Sequence, residues 1–164
     1  MKKPLILTGL ALLLVLIGIQ FIHPRQNLGA TGGPNDLAVR AAAPDDVRQL
    51  LADACYDCHS NRTQYPWYAS VQPVAWWLDH HVQEGKRELN FSEFGAYSPR
   101  RASHKLAAIG KEVSRGDMPL SSYTWMHPAA RLTSDQRKKL VDWAQALHDK
   151  VPPEPPAPTK SITP

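Results

Sequence analysis

The chain opens on a nearly unbroken apolar run. After Lys2 and Lys3, positions Pro4 to Ile22 are interrupted only by Thr8, Gly9, Gly18 and Gln20. Wound as a helix at ~1.5 Å per residue, the run reaches about 28 Å, close to the thickness of a bilayer core. The pattern therefore predicts one transmembrane helix over residues 1–22. A cleaved leader is the alternative, but it calls for a shorter apolar core and a prompt small-residue cleavage site. Here His23-Pro24-Arg25 follows the run, and Leu28-Gly29-Ala30 puts a bulky residue where a small one is wanted. Under the positive-inside rule Lys2 and Lys3 stay cytoplasmic and the rest of the chain lies outside. Residues 23–43, with Gly29, Gly32, Gly33 and Pro34, read as a flexible linker with little to bury.

From residue 44 to residue 150 the apolar positions recur at helical spacing four times. Val47, Leu50, Leu51 and Ala54 form the first stripe, behind Pro44 and the acidic first-turn pair Asp45-Asp46. A second helix begins at Pro73, carries Val74, Trp76, Trp77, Leu78 and Val82, and ends near Gly85. Leu89 to Gly95 reads as an irregular or short-turn connection. The third helix is capped by Ser98, has Pro99 at its first position and stops at Gly116. Its stripe is Ala102, Leu106, Ile109 and Val113. The fourth starts at Thr133 with Gln136 as capping-box partner and buries Leu140, Trp143, Ala144, Leu147 and Val151. The fold expected is all-α, about four helices behind one transmembrane helix. Residues 151–164 hold six of the chain's fifteen prolines and read as a disordered tail.

Composition narrows the function classes. The formal net charge of +4 is modest, and no stretch interleaves basic and aromatic residues as a nucleic-acid surface does. Only two cysteines occur, and both lie in Cys55-Tyr56-Asp57-Cys58-His59, so no separate structural disulfide is available.

That pentapeptide is a C-x-x-C-H run, the pattern of c-type haem attachment. Two thiols add across haem vinyl groups to give thioethers, and the histidine supplies an axial imidazole to the iron. On a helix, positions i, i+3 and i+4 share a face, which would present Cys55, Cys58 and His59 to one ligand. A redox dithiol would need a strand-helix-strand setting, which the sequence does not show, and zinc would need two further ligands, for which no second cysteine pair exists. Downstream, Met118-Pro119 follows the Gly116 helix stop. Pro119 restricts Met118 to extended backbone, and Met118 is the candidate distal iron ligand. Met126, His80, His81 and His127 are its competitors, and His80 or His81 could instead meet a haem propionate. Asn61 to Tyr68, with Tyr65, Pro66, Trp67 and Tyr68, reads as a rigid loop against the haem edge or, equally well, as plain core packing.

The order of these features resembles a monohaem cytochrome c, and more narrowly the bacterial membrane-anchored haem-binding domain family. The resemblance is carried by Cys55 to Thr63, Tyr65 to Tyr68, Pro73 to Trp76, His81 to Lys86, Leu89 to Phe94, Gly116 to Pro119, and Ile19 to Pro24. It implies haem binding and a periplasmic position, at the bacterial inner membrane. The expectation is a single haem c per chain, held by Cys55, Cys58 and His59 with Met118 completing the sphere. It would serve one-electron transfer with redox partner proteins, without a catalytic residue or small-molecule substrate. Two other classes stay open: a haem-based sensor or small-gas binder, and a peroxidase using His80, His81 or His127 as distal acid-base group. Both need an open iron position.

Overall fold

The computed structural model describes residues 2–152, and every regular element among them is helical. The α-helices are α1 (Lys2–Ile19), α2 (Leu37–Arg40), α3 (Asp45–Ala54), α4 (Tyr56–His59), α5 (Val74–Glu88), α6 (Pro99–Arg115), α7 (Ser121–Met126) and α8 (Ser134–His148). Three 3₁₀ turns, Trp67–Ser70, Phe91–Ala96 and Pro128–Ala130, lie between them. The one β feature among the described residues is an isolated antiparallel bridge between Leu28 and Arg62. Residues 153–164, most of the expected tail, lie outside the described residues.

The transmembrane expectation is corrected. Among the described residues no helix is long and apolar enough to cross a membrane. The physical reason is where α1 stops. It ends at Ile19 rather than Ile22, because the chain turns at Gln20 to meet the domain. The Gln20 side chain donates to the Gln72 carbonyl and accepts from the Gln72 amide, at 3.2 and 2.9 Å. The Ile22 carbonyl then accepts from the Gln72 side-chain amide and the Trp76 indole, at 2.7 and 3.1 Å. What remains apolar, Pro4 to Ile19, spans about 24 Å, less than a bilayer core of ~30 Å.

Residues 23–43 also differ from the expected linker, because they pack. Asn27, Asp36, Leu37, Ala38 and Ala43 are buried. Asp36 caps α2 through the Ala38 amide and accepts from the Tyr56 hydroxyl at 2.8 Å. Glycine and proline fix the turns here, while the buried polar groups find partners distant in sequence.

The core lies between α3, α6 and α8. Val47, Leu50, Leu51 and Ala54 bury the predicted face of α3. Leu106, Ile109 and Val113 of α6 meet Leu140 and Ala144 of α8 in the same cluster. Each fully buried aliphatic side chain contributes about 1.5–3 kcal/mol. The capping chemistry is as the sequence predicts. Ser98 caps α6, Gly116 ends it in a left-handed conformation (φ 79°), and Thr133 with Gln136 forms a complete capping box on α8. By contrast, α5 runs past Gly85 to Glu88.

Candidate functional site

The Cys55–His59 turn is not one continuation of α3. Cys55 breaks the helix (φ −131°, ψ −43°), and α4 starts afresh at Tyr56. The Cys55 carbonyl accepts from both the Cys58 and His59 amides, at 3.3 and 3.0 Å. The result is a kinked helical turn rather than the single straight face expected from spacing.

His59 is oriented by α5. Its Nδ1 lies 2.9 Å from the Gly85 carbonyl and 3.1 Å from the Leu89 carbonyl. Two carbonyl acceptors require the proton on Nδ1, which leaves Nε2 as the lone-pair nitrogen. Burial holds the His59 pKa below the usual histidine value, against the opposing pull of the Leu89 and Gly85 carbonyls. A neutral imidazole with one ring nitrogen anchored is the form a metal takes.

Gly85 makes this geometry accessible. A Cβ there would lie 2.6 Å from the Cys58 carbonyl oxygen and 3.1 Å from the Cys58 Cβ. Only glycine lets α5 approach the turn this closely. A helix-embedded glycine can mark such a contact, but the sequence reads it as a stop.

The segment after the motif is fastened from two sides. Asn27 donates from Nδ2 to the Ser60 carbonyl and to Thr63 Oγ1, both at 3.0 Å, and accepts from Lys86 Nζ at 2.7 Å. Gly29 donates to the Asn61 carbonyl, and Thr63 donates to the Asn27 carbonyl. Nothing local marks Asn27 for this role, since its partners lie more than thirty residues away.

Two cavities share walls beside the motif. The smaller, about 290 Å³, is lined by Cys55, Cys58, His59, His81, Met118, Pro119 and Tyr123, among others. The larger, about 400 Å³, shares Cys58, His81, Leu120 and Tyr123, and adds Tyr68, Trp77, Leu78 and Met126. The first therefore brings together all four residues singled out by sequence: Cys55, Cys58, His59 and Met118. Met118 arrives on the loop after α6, with its amide on the Glu112 carbonyl and its own carbonyl 3.4 Å from Arg137 Nη1.

Of the competitors, His81 alone shares the smaller cavity with Met118. His81 lines both cavities, with Nδ1 2.8 Å from the Trp77 carbonyl. His80 is exposed beside Glu84. His127 has both ring nitrogens engaged, by the Tyr123 carbonyl and the Tyr68 hydroxyl. Met126 lines the larger cavity without His59. The Tyr65–Tyr68 loop divides: Tyr68 faces the larger cavity, whereas Trp67 is 79% exposed.

Both thiols are free. Burial, reinforced by Cys58, pushes the Cys55 thiol up to about 12, and burial with the Asp57 carboxylate pushes Cys58 up to about 11. Among the described residues no group of three or more His, Cys, Asp or Glu could hold a bare metal ion. The donor set instead suits a haem. It offers two thiols, one neutral imidazole with a free Nε2, one thioether sulfur and largely apolar walls.

Comparison with known proteins agrees with that donor set. No curated protein and no solved structure matches the chain. The model of one family, described as a haem-binding domain, matches residues 14–146, which include the whole cleft and the packed segment before it. By that match over most of its length, the chain belongs to the haem-binding domain family.

Proposed function

We propose that this haem-binding chain carries a single covalent haem c and serves one-electron transfer. The observation that carries the reading is the smaller cavity, which collects Cys55, Cys58, His59 and Met118 on its walls. Cys55 and Cys58 provide the thioether sulfurs, and His59 Nε2 provides one axial ligand while Gly85 and Leu89 hold Nδ1. Met118 provides the other, a soft sulfur that favours reduced iron. The bound haem supplies the one-electron Fe(III)/Fe(II) couple. With both axial positions taken, the chain is a carrier that exchanges electrons with redox proteins rather than an enzyme with a substrate. From the thioether attachment proposed here we infer a working compartment outside the cytoplasm, in the bacterial periplasm.

A second reading rests on His81, whose ring shares the cavity with Met118. If His81 takes the iron in place of Met118, the chain is still a carrier, at a lower potential; if neither does, the sensor and peroxidase classes return.

Two measurements decide. Haem in protein matured by a c-type attachment system should resist acid-acetone extraction after denaturation; free extraction refutes the covalent reading. Met118→Ala should abolish the weak near-infrared sulfur-to-iron band of the ferric protein, lower the midpoint potential and admit carbon monoxide. Met126→Ala should change none of these. An unaltered band and potential in Met118→Ala would remove Met118 from the iron.

A further inference from the structure

Beside the wall that α5 contributes through His81, Glu84, Gly85 and Glu88, two further walls of the smaller cavity come from distant parts of the chain. One is the Cys55–His59 turn, and the other is Met118-Pro119-Leu120, which leads directly into α7. Asp57, between the two cysteines, has a side chain that reaches from the first wall to the second. Its Oδ2 accepts a hydrogen bond from the Tyr123 hydroxyl at 2.7 Å, across 66 residues of sequence. Its own position is fixed separately: Oδ1 accepts from the Gln64 amide at 2.9 Å, and its carbonyl accepts from Thr63 Oγ1 at 2.6 Å. Tyr123 is fixed too, its ring stacked on His127 at 4.0 Å and 16°. Burial and the Asp57 contact push the phenol's pKa up, so Tyr123 donates throughout the physiological range.

We propose that the Asp57–Tyr123 hydrogen bond is a strap that holds the Met118 wall against the His59 wall, making both residues positioning residues for the distal ligand. The inference rests on the His59/Met118 reading and names what keeps that ligand in place. A hydrogen bond to a charged group is among the stronger single contacts in a fold. Here it is also the tie that joins the motif turn to α7. Met118 lies five residues before Tyr123, on the segment this bond restrains.

The strap differs from ordinary packing in what its two ends do electrically. Tyr123→Phe keeps the ring and removes the donor, leaving the Asp57 carboxylate unscreened beside the motif. Asp57→Asn weakens the same bond but removes the charge. A negative charge near the iron favours the ferric form, so the two variants should move the midpoint potential in opposite directions. Tyr123→Phe should lower it and Asp57→Asn should raise it.

The test uses the full, haem-loaded chain and free imidazole as probe. Tyr123→Phe should raise the affinity of the ferric protein for imidazole by about tenfold to a hundredfold, the range set by losing one charge-assisted hydrogen bond. It should also reduce the sulfur-to-iron band. Asp57→Asn should raise imidazole affinity by less, and the double variant should not exceed Tyr123→Phe. Hydrogen exchange of amides in residues 118–126 should speed up in Tyr123→Phe. Imidazole affinity unchanged within about twofold in both variants, or potentials moving the same way, overturns the strap. If the wild type itself lacks the sulfur band, the Met118 reading fails; unchanged exchange in residues 118–126 would then still overturn the strap, and faster exchange would sustain it. Should Tyr123→Phe not fold, Asp57→Asn alone carries the potential and exchange measurements.

Discussion

Substituting Gly85 by alanine sets two effects of opposite sign against each other. At an ordinary helical position the change is stabilising, by roughly 0.5–1 kcal/mol, because alanine has less backbone entropy to lose. At residue 85 the new Cβ would sit 2.6 Å from the Cys58 carbonyl oxygen and 3.1 Å from its carbonyl carbon. Relief needs a shift of about half an ångström or more between α5 and the motif turn, and overpacking of this kind costs about 1–3 kcal/mol. The obstructing atoms are backbone, so no flexible side chain can swing aside. We expect Gly85→Ala to be destabilised by about 1–2 kcal/mol in denaturant unfolding. The same shift pulls the Gly85 carbonyl away from His59 Nδ1, now 2.9 Å distant. A change in the imidazole environment should therefore accompany the loss of stability, visible as a shifted midpoint potential in the haem-loaded protein. A Gly85→Ala protein more stable than wild type by a few tenths of a kcal/mol or more would refute the close-packing argument.

Two further outcomes follow. Asn27→Ala leaves the Ser60 carbonyl and Lys86 Nζ without their present partner, so it should cost about 1–3 kcal/mol in chemical denaturation; a change under ~0.5 kcal/mol would make Asn27 a bystander. In the folded, haem-free chain the thiol form dominates well above neutral pH, because burial holds Cys58 up at about 11 and Cys55 at about 12. Iodoacetamide at pH 8.5 should thus label the folded chain on the order of a hundredfold more slowly than the denatured one, whose thiols titrate near ~8.5. Labelling of the folded chain should rise with pH at Cys58 before Cys55; equal rates folded and denatured would contradict the burial.

What could be read from the sequence was the chemistry that acts locally. Ser98, Gly116 and the Thr133/Gln136 pair each satisfy groups within a few residues, so their helix ends were predictable. The first core stripe, Val47 to Ala54, declared itself by its period. The motif and Met118 were nominated by residue type and order, and the fold brings them to one cavity. The misreadings share a cause, which is a partner remote in sequence. Gln20 ends α1 because of Gln72. Asn27 and Asp36 give residues 23–43 a packed structure because of Ser60, Lys86 and Tyr56. Gly85 continues its helix because Cys58 lies against it. Composition alone records a glycine, a proline or an amide, and says nothing of what will stand opposite.

The bridge between Leu28 and Arg62 has a consequence for the order of events during folding. The bonds from Asn27 to Ser60 and Thr63 span 33 and 36 residues, and the motif lies inside the loop they close. Closing a loop of that length costs about 3 kcal/mol in chain entropy before any contact rewards it. A chain emerging from its N-terminus exposes Asn27 first, then the cysteines, and only afterwards the residues that clasp Asn27. The thiols therefore pass through an interval in which they are present but not yet enclosed. The clasp cannot close before Thr63 is present, and the groups that stand against the thiols, Gly85 and Met118 to Tyr123, come later still in the chain.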